Sequence, residues 1–185
     1  MDALTTSVDL HATIADLFGA EIDHPTHGTS LLPLIEGTAG SVRELALFGY
    51  WGRHVGITDG RHRYLRGCGD ENLPLSMWSN RWSTMPVHPL PELRLPRPDG
   101  RAVLRTMPGT DVPVICQPFE AGDRLPFWAL GPTPSGSHLF DTDSDPGETE
   151  NRAGEPVERD LLDGMAVALR AIGAPDDLLA RIGIT

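Results

Sequence analysis

The chain has 185 residues, with 26 acids against 15 basic residues that are all arginine, a net charge of −11 and an isoelectric point near 4.9. One domain of this length is able to bury roughly 70% of its unfolded surface. The acidity argues against nucleic acid and anionic membranes as partners, and the absence of lysine excludes lysine-based chemistry. Cys68 and Cys116 are too few and too far apart for a disulfide framework or a zinc site, so a structural role is expected of both. No apolar run reaches the length of a membrane span, and the first residues lack the basic start and apolar core of a signal peptide. A soluble chain, cytoplasmic by default, is the expectation.

Val8, Leu10, Ile14, Leu17 and Phe18 predict an N-terminal helix with an apolar stripe. Thr6-Ser-Val-Asp9 has the pattern of a capping box, Gly19 is placed to stop the helix, and His11 falls off the stripe. A loop from His27 then runs into the short apolar turn Leu31-Leu-Pro-Leu-Ile35. Leu45 to Tyr50 suits a buried strand. Val55 to Thr58 and Arg61 to Arg66 flank Asp59-Gly60, a strong hairpin signal. With a strand over Ser137–Phe140, these predict a small antiparallel sheet of about four strands.

Between Cys68 and Pro134 the periodicity fails. Twelve of the 17 prolines fall here, so regular structure must be intermittent. Trp78, Trp82 and Trp128 are also here, and aromatics this dense argue for a packed segment rather than disorder. An irregular lid on the sheet and a loop region shaping a substrate mouth are both compatible with that composition.

Val157, Leu161, Met165, Leu169 and Ile172 then predict a helix with Pro156 in its first turn and Gly173 as its stop. Gly164 inside it costs about 1 kcal/mol relative to Ala and marks a position for close packing. Pro175-Asp-Asp177 opens a final short helix through Ile182.

The stretch Leu139-Phe-Asp-Thr-Asp-Ser-Asp-Pro-Gly-Glu-Thr-Glu-Asn-Arg-Ala153 reads as a strand, an acidic turn and an entry into these helices. Pro146 and Gly147 suit the central positions of a type II turn. Asp141, Asp143 and Asp145 alternate like the first half of a calcium loop. Pro146 follows the third acid, however, and position twelve is Arg152, so a structural turn is expected instead. The seven histidines form no HxH, HxxxH or HExxH pair, and no serine sits in a nucleophile elbow.

The acidic stretch resembles the "LYDLxxDPGExxNLA" phrase near the C-terminus of sulfatases. Thr6-Ser-Val-Asp-Leu-His-Ala-Thr-Ile-Ala-Asp-Leu-Phe-Gly19 resembles their "SxVDLxPTLLDLAG", with Ala12 at the proline. His27-Gly-Thr-Ser-Leu-Leu-Pro-Leu-Ile-Glu-Gly37 resembles "GxSLLPLLxG". Phe48 to Arg66 is similar to the "RxVRTGxYKYI" hairpin, and closer to a bacterial subgroup with "GGHVNVTDGRYVYMR", whose long insertion Glu71–Leu75 and Met85–His88 fit. Four phrases in family order cover nearly the whole chain.

The resemblance implies the C-terminal portion of a bacterial sulfatase-like hydrolase of the alkaline phosphatase superfamily. It implies an α+β subdomain: a small antiparallel sheet packed with N- and C-terminal helices, plus the Pro- and Trp-rich irregular insertion. Its parts are a linking helix and loop over 1–37, hairpin strands over 45–67, the insertion over 68–134, and strand, acidic turn and closing helices over 137–185. The family's Cys-x-Pro-x-Arg or Ser-x-Pro-x-Arg core, oxidised to formylglycine, has no counterpart here: Gly-Asp-Glu follows Cys68, and Gln-Pro-Phe follows Cys116. That core, the divalent cation (calcium) and its ligands belong to the family's N-terminal catalytic domain, which is expected to lie outside this chain. No catalytic residue and no metal ligand is therefore assigned, and the chain alone is expected to be inactive. The resemblance assigns substrate recognition to His54, beside Trp51 and Arg53, and secondarily to His88. Expected partners are a catalytic N-terminal half and, for the whole enzyme, a sulfate-ester small molecule or glycan. A fragment standing alone would leave the helix Val8–Phe18 without a partner sheet. A non-catalytic module derived from a sulfatase, and a portion of a phosphate or phosphonate ester hydrolase, fit the same residues.

Overall fold

The hairpin turn at Asp59-Gly60 organises the first sheet. The Asp59 carboxylate accepts the Arg61 and His62 N–H groups at 2.9 and 2.6 Å, and Gly60 takes φ +98°, a value open to glycine. The turn joins β2 (Val55–Thr58) to β3 (His62–Arg66), with β1 (Ala46–Gly49) beyond β2 and β7 (His138–Asp141) beside β3. The strand order is β1-β2-β3-β7, and β3 pairs antiparallel with β7 in the register Tyr64↔Leu139. In this computed structural model the described residues are 3–69, 71–80, 98–107, 110–126, 129 and 136–184. They form an α+β fold whose four-stranded sheet is the one the sequence predicts.

The chain forms two units. The first comprises Met1–Phe48, Gly56–Leu65 and Ser137–Ile172; the second comprises Gly49–Val55, Arg66–Gly136 and Gly173–Thr185.

In the first unit, α3 (Pro156–Ala171) packs on the four-stranded sheet. Pro156 sits at its first turn and Gly173, at φ +68°, follows its end, as predicted. Leu161, Met165 and Leu169 are buried along one face, and burying each contributes about 2 kcal/mol. Gly164 brings the helix close: a Cβ there would lie 2.7 Å from Leu45 Cδ1 and 3.9 Å from Ile57 Cδ1. The buried Tyr64 hydroxyl donates to Glu158 at 2.9 Å, tying β3 to the first turn of the helix.

The predicted N-terminal helix is α1 (Asp9–Leu17), and Gly19 ends it at φ +64°. The capping box is half made. Asp9 accepts the Thr6 N–H at 2.8 Å, while no side chain caps the helix N-terminus itself. The short α2 (Leu32–Ile35) packs against α1. The small and polar side of α1, Asp9 and Ala12, is buried, whereas Leu10, Ile14, Leu17 and Phe18 are exposed.

In the second unit the interval rich in proline carries a three-stranded antiparallel sheet: β4 (Leu75–Ser79), β5 (Val103–Thr106) and β6 (Pro113–Phe119), in the order β4-β6-β5. Leu75 pairs with Phe119, Trp78 with Cys116, and Val103 with Cys116. The closing helix α4 (Asp176–Arg181) lies against β4. Among the described residues no helix is long and apolar enough to cross a membrane.

Candidate functional site

The segment Tyr50 to His54 is where the sequence places recognition, and in the second unit it is a firmly held loop. The Trp51 indole N–H donates to Ser76 O at 2.8 Å, and its ring meets Phe119 edge-on at 5.4 Å between centroids. Gly52, at φ +74°, offers its carbonyl to Asn72 Nδ2 at 2.8 Å. The Arg53 carbonyl accepts from Arg181 Nη1 at 3.1 Å, and the same nitrogen donates to Asn72 Oδ1 at 2.8 Å. Arg181 is thus a buried bracket, and burial pushes its pKa down from the ordinary arginine value.

His54 closes this loop, half-buried, with Nε2 3.3 Å from the Gly136 carbonyl. A proton on Nε2 would be donated to that carbonyl. A cleft of about 120 Å³ opens beside the loop, with Gly52, Arg53, Asn72, Phe119 and Asp123 in its wall. His54 does not line it. A broader groove of about 1090 Å³ in the same unit is bounded by Trp78, Arg105, Met107, Cys116 and Asp176. Burial pushes the Cys116 thiol pKa up, which keeps the sulfur protonated and suits the structural role expected of it. His88 lies outside the described residues, as do Trp82 and Trp128.

No sequence signal singles out Asn72 and Arg181, although both hold the loop. The left-handed conformation of Asn72 (φ +54°) is one that asparagine adopts more readily than most residues, but a lone asparagine in a loop does not announce its contact. Arg181 is separated from Arg53 by 128 positions, so only the fold brings them together.

The acidic stretch, in the first unit, uses its carboxylates internally. Asp141 is buried at the end of β7, taking Arg61 Nη2 at 2.7 Å and Arg152 Nη1 at 3.2 Å. The hydrogen bond from Arg61 holds its pKa well below the usual carboxylate range, against the opposing effect of burial. Asp145 gathers the Thr149 and Glu150 N–H groups at 2.7 and 2.9 Å. The type II expectation at Pro146-Gly147 needs correcting. Glu148 N–H donates to Asp145 O at 3.0 Å, closing the turn, but the left-handed residue is Glu148 at φ +52° rather than Gly147. The physical reason is the Asp145 carboxylate, which draws the backbone around itself one residue later, while Arg63 holds Glu148 at 2.5 Å. Among the described residues no three His, Cys, Asp or Glu side chains gather where they could hold a metal ion.

No protein-family model matches the chain, and no curated protein matches it. Among solved structures, one from Bacteroides thetaiotaomicron is similar, with a TM-score of 0.49 and 16% identity. Its title concerns the metabolism of multiple glycosaminoglycans through a versatile core genetic locus, and its designation ends in "sulf". The match covers 90% of this chain and 25% of that one, so this chain spans about a quarter of that protein's length.

Proposed function

We propose that the chain is the C-terminal portion of a sulfatase-like sulfuric ester hydrolase, supplying packing and substrate recognition while the reaction centre lies in the family's catalytic part. One observation carries the reading: two of the four family-like phrases interlock in the folded chain. The Asp9 of the first phrase accepts the Thr29 N–H of the second at 2.9 Å, and Thr13 Oγ1 accepts the Leu31 N–H at 2.9 Å. Residues that would look incidental as isolated matches are thus one structural device.

On this reading the formylglycine and the calcium ion reside in the catalytic part. His54 contributes to recognition of the sulfate ester, whether small molecule or glycan, and His88 is assigned the same lesser role from the sequence alone. The purified chain is expected to show no turnover of an aryl sulfate with calcium present. Activity that persists in proportion to this chain through repeated purification would sink the proposal. Restored activity on adding a sulfatase catalytic portion, but not on adding either part alone, is the positive result.

The exposed face of α1 also suits a non-catalytic assembly module derived from a sulfatase. The two readings separate in the same assay, because only the first predicts restored turnover.

A further inference from the structure

No short window of the sequence pairs two histidines at ligand spacing, but the fold makes such a pair. His11 is on α1 and His24 is in the loop that follows it, both in the first unit. The Ala20 N–H closes on Ala15 O at 2.8 Å as the helix ends. The chain then turns back, until Gly28 lies against the Val8 carbonyl and the Thr29 N–H reaches Asp9 at 2.9 Å. The loop is thus pinned at both ends. Between the pins the His24 ring meets the His11 ring, with 5.4 Å between centroids and 36° between planes.

That spacing has a chemical meaning. Imidazole nitrogens bind zinc at about 2.0–2.1 Å, so two rings sharing one tetrahedral ion have centres roughly 5 Å apart. Burial does not hold these rings together, because both side chains are exposed. Among the described residues the His11 ring makes no hydrogen bond, so its lone pair is open to a ligand. His24 Nδ1 lies 3.3 Å from Asp23 Oδ1. A proton donated there leaves the Nε2 lone pair for a metal, and a carboxylate behind a histidine is the usual support of a metal ligand. We infer that His11 and His24 form a two-histidine site for a late first-row divalent cation of the zinc or copper(II) class, which clips the loop to α1. Imidazole suits these ions, whereas calcium and magnesium take oxygen ligands. Two protein nitrogens leave the remaining positions to water, so the ion is exchangeable. The site is separate from the calcium centre of the hydrolase reading and does not rest on that reading.

The probe is zinc chloride titrated into the full chain, read by calorimetry and by the histidine ring resonances in NMR spectra. One zinc per chain should bind and shift the His11 and His24 signals together. The melting temperature should rise with zinc concentration, because the unfolded chain does not hold the two rings in place. His11→Ala and His24→Ala should each weaken binding by about tenfold or more. The melt without zinc should not move in either variant, since both side chains are exposed. His27→Ala, in the same loop, should bind zinc as the wild type does, and an excess of calcium or magnesium should not displace the ion. Absence of zinc binding overturns the inference, as does binding that shifts only one of the two rings or survives both variants. Loss of binding in His27→Ala would assign the ion to the neighbouring loop histidines, and displacement by calcium would assign it to carboxylates; either result overturns the proposal.

Discussion

Gly28 lies against the Val8 carbonyl so closely that a Cβ on Gly28 would fall well inside van der Waals contact of that oxygen. The bare Cα lets the loop 27–31 run along the start of α1, placing the Thr29 N–H on Asp9. Glycine in the family-like phrase at His27–Gly37 is thus required by approach distance. The conformation itself is open to other residues, since Gly28 is not among the positive-φ glycines.

Gly28→Ala should therefore destabilise the protein by roughly 1–3 kcal/mol, the range for overpacking, because the opposing atoms are backbone and cannot rotate away. Urea melts of the wild type and variant measure this. An unchanged midpoint would contradict the close approach.

Asp9→Ala should cost more. It strips the Arg43 head of its partner and leaves the Thr6 and Thr29 N–H groups without their acceptor. Removing one member of a buried pair costs about 3–5 kcal/mol. Asp9→Asn keeps an oxygen acceptor and should lose less. Chemical denaturation of both variants gives the comparison, and equal losses would show that charge alone matters.

Stability should fall in acid through the same kind of group. Burial raises the Asp9 pKa, but the Thr29 and Thr6 bonds and Arg43 outweigh it, leaving the pKa lowered; Arg61 lowers that of Asp141. Both folded-state pKa values therefore lie below the unfolded value near 3.8. The stabilisation is fully present above that value and is lost as pH falls through the folded values. Melting temperature should be insensitive to these two groups at neutral pH and decline below about pH 4. Asp141→Asn should lower the neutral-pH melting temperature and flatten the acid limb. A variant with an acid limb as steep as the wild type would count against the assignment.

The recognition role proposed for His54 can be read without turnover. Titrating the chain with inorganic sulfate or an aryl sulfate ester should shift the His54 ring resonances in NMR spectra, saturably. His54→Ala should remove that response while changing stability by less than about 1 kcal/mol, as expected of a partly exposed histidine. Shifts confined to other histidines would move the recognition role elsewhere.

Much of the first unit was legible in sequence because its signals are local. Asp59-Gly60 turns the chain through its own side chain and backbone, and Pro156 and Gly173 bound α3 through their own backbone preferences. Gly164 announced close packing correctly, although Leu45 as its neighbour is a non-local fact. The second sheet was much less legible. Prolines obscured β4, β5 and β6, and Pro113 and Pro118 themselves sit in β6, where pattern alone argues against a strand. Its central pairings, Leu75↔Phe119 and Val103↔Cys116, depend on partners that no local window contains. In the candidate site, the Trp51-Gly-Arg-His54 run was visible, whereas the Asn72 and Arg181 contacts that hold it were not.

The sequence by itself determined the main helices and strands of the first unit, the hairpin, and the lack of a formylglycine motif, because turn chemistry and short motifs act over a few residues. Tertiary structure decided which way the α1 stripe faces and what Asp141 does. A helix's period gives it an apolar side, but orientation depends on what its other side can bond, and here Asp9 found Arg43 and Thr29 inside the fold. Asp141 reads as one acid among several in a turn. Only the pairing of β3 with β7 brings Arg61 across from 80 positions away and makes that carboxylate the anchor of the strand's end.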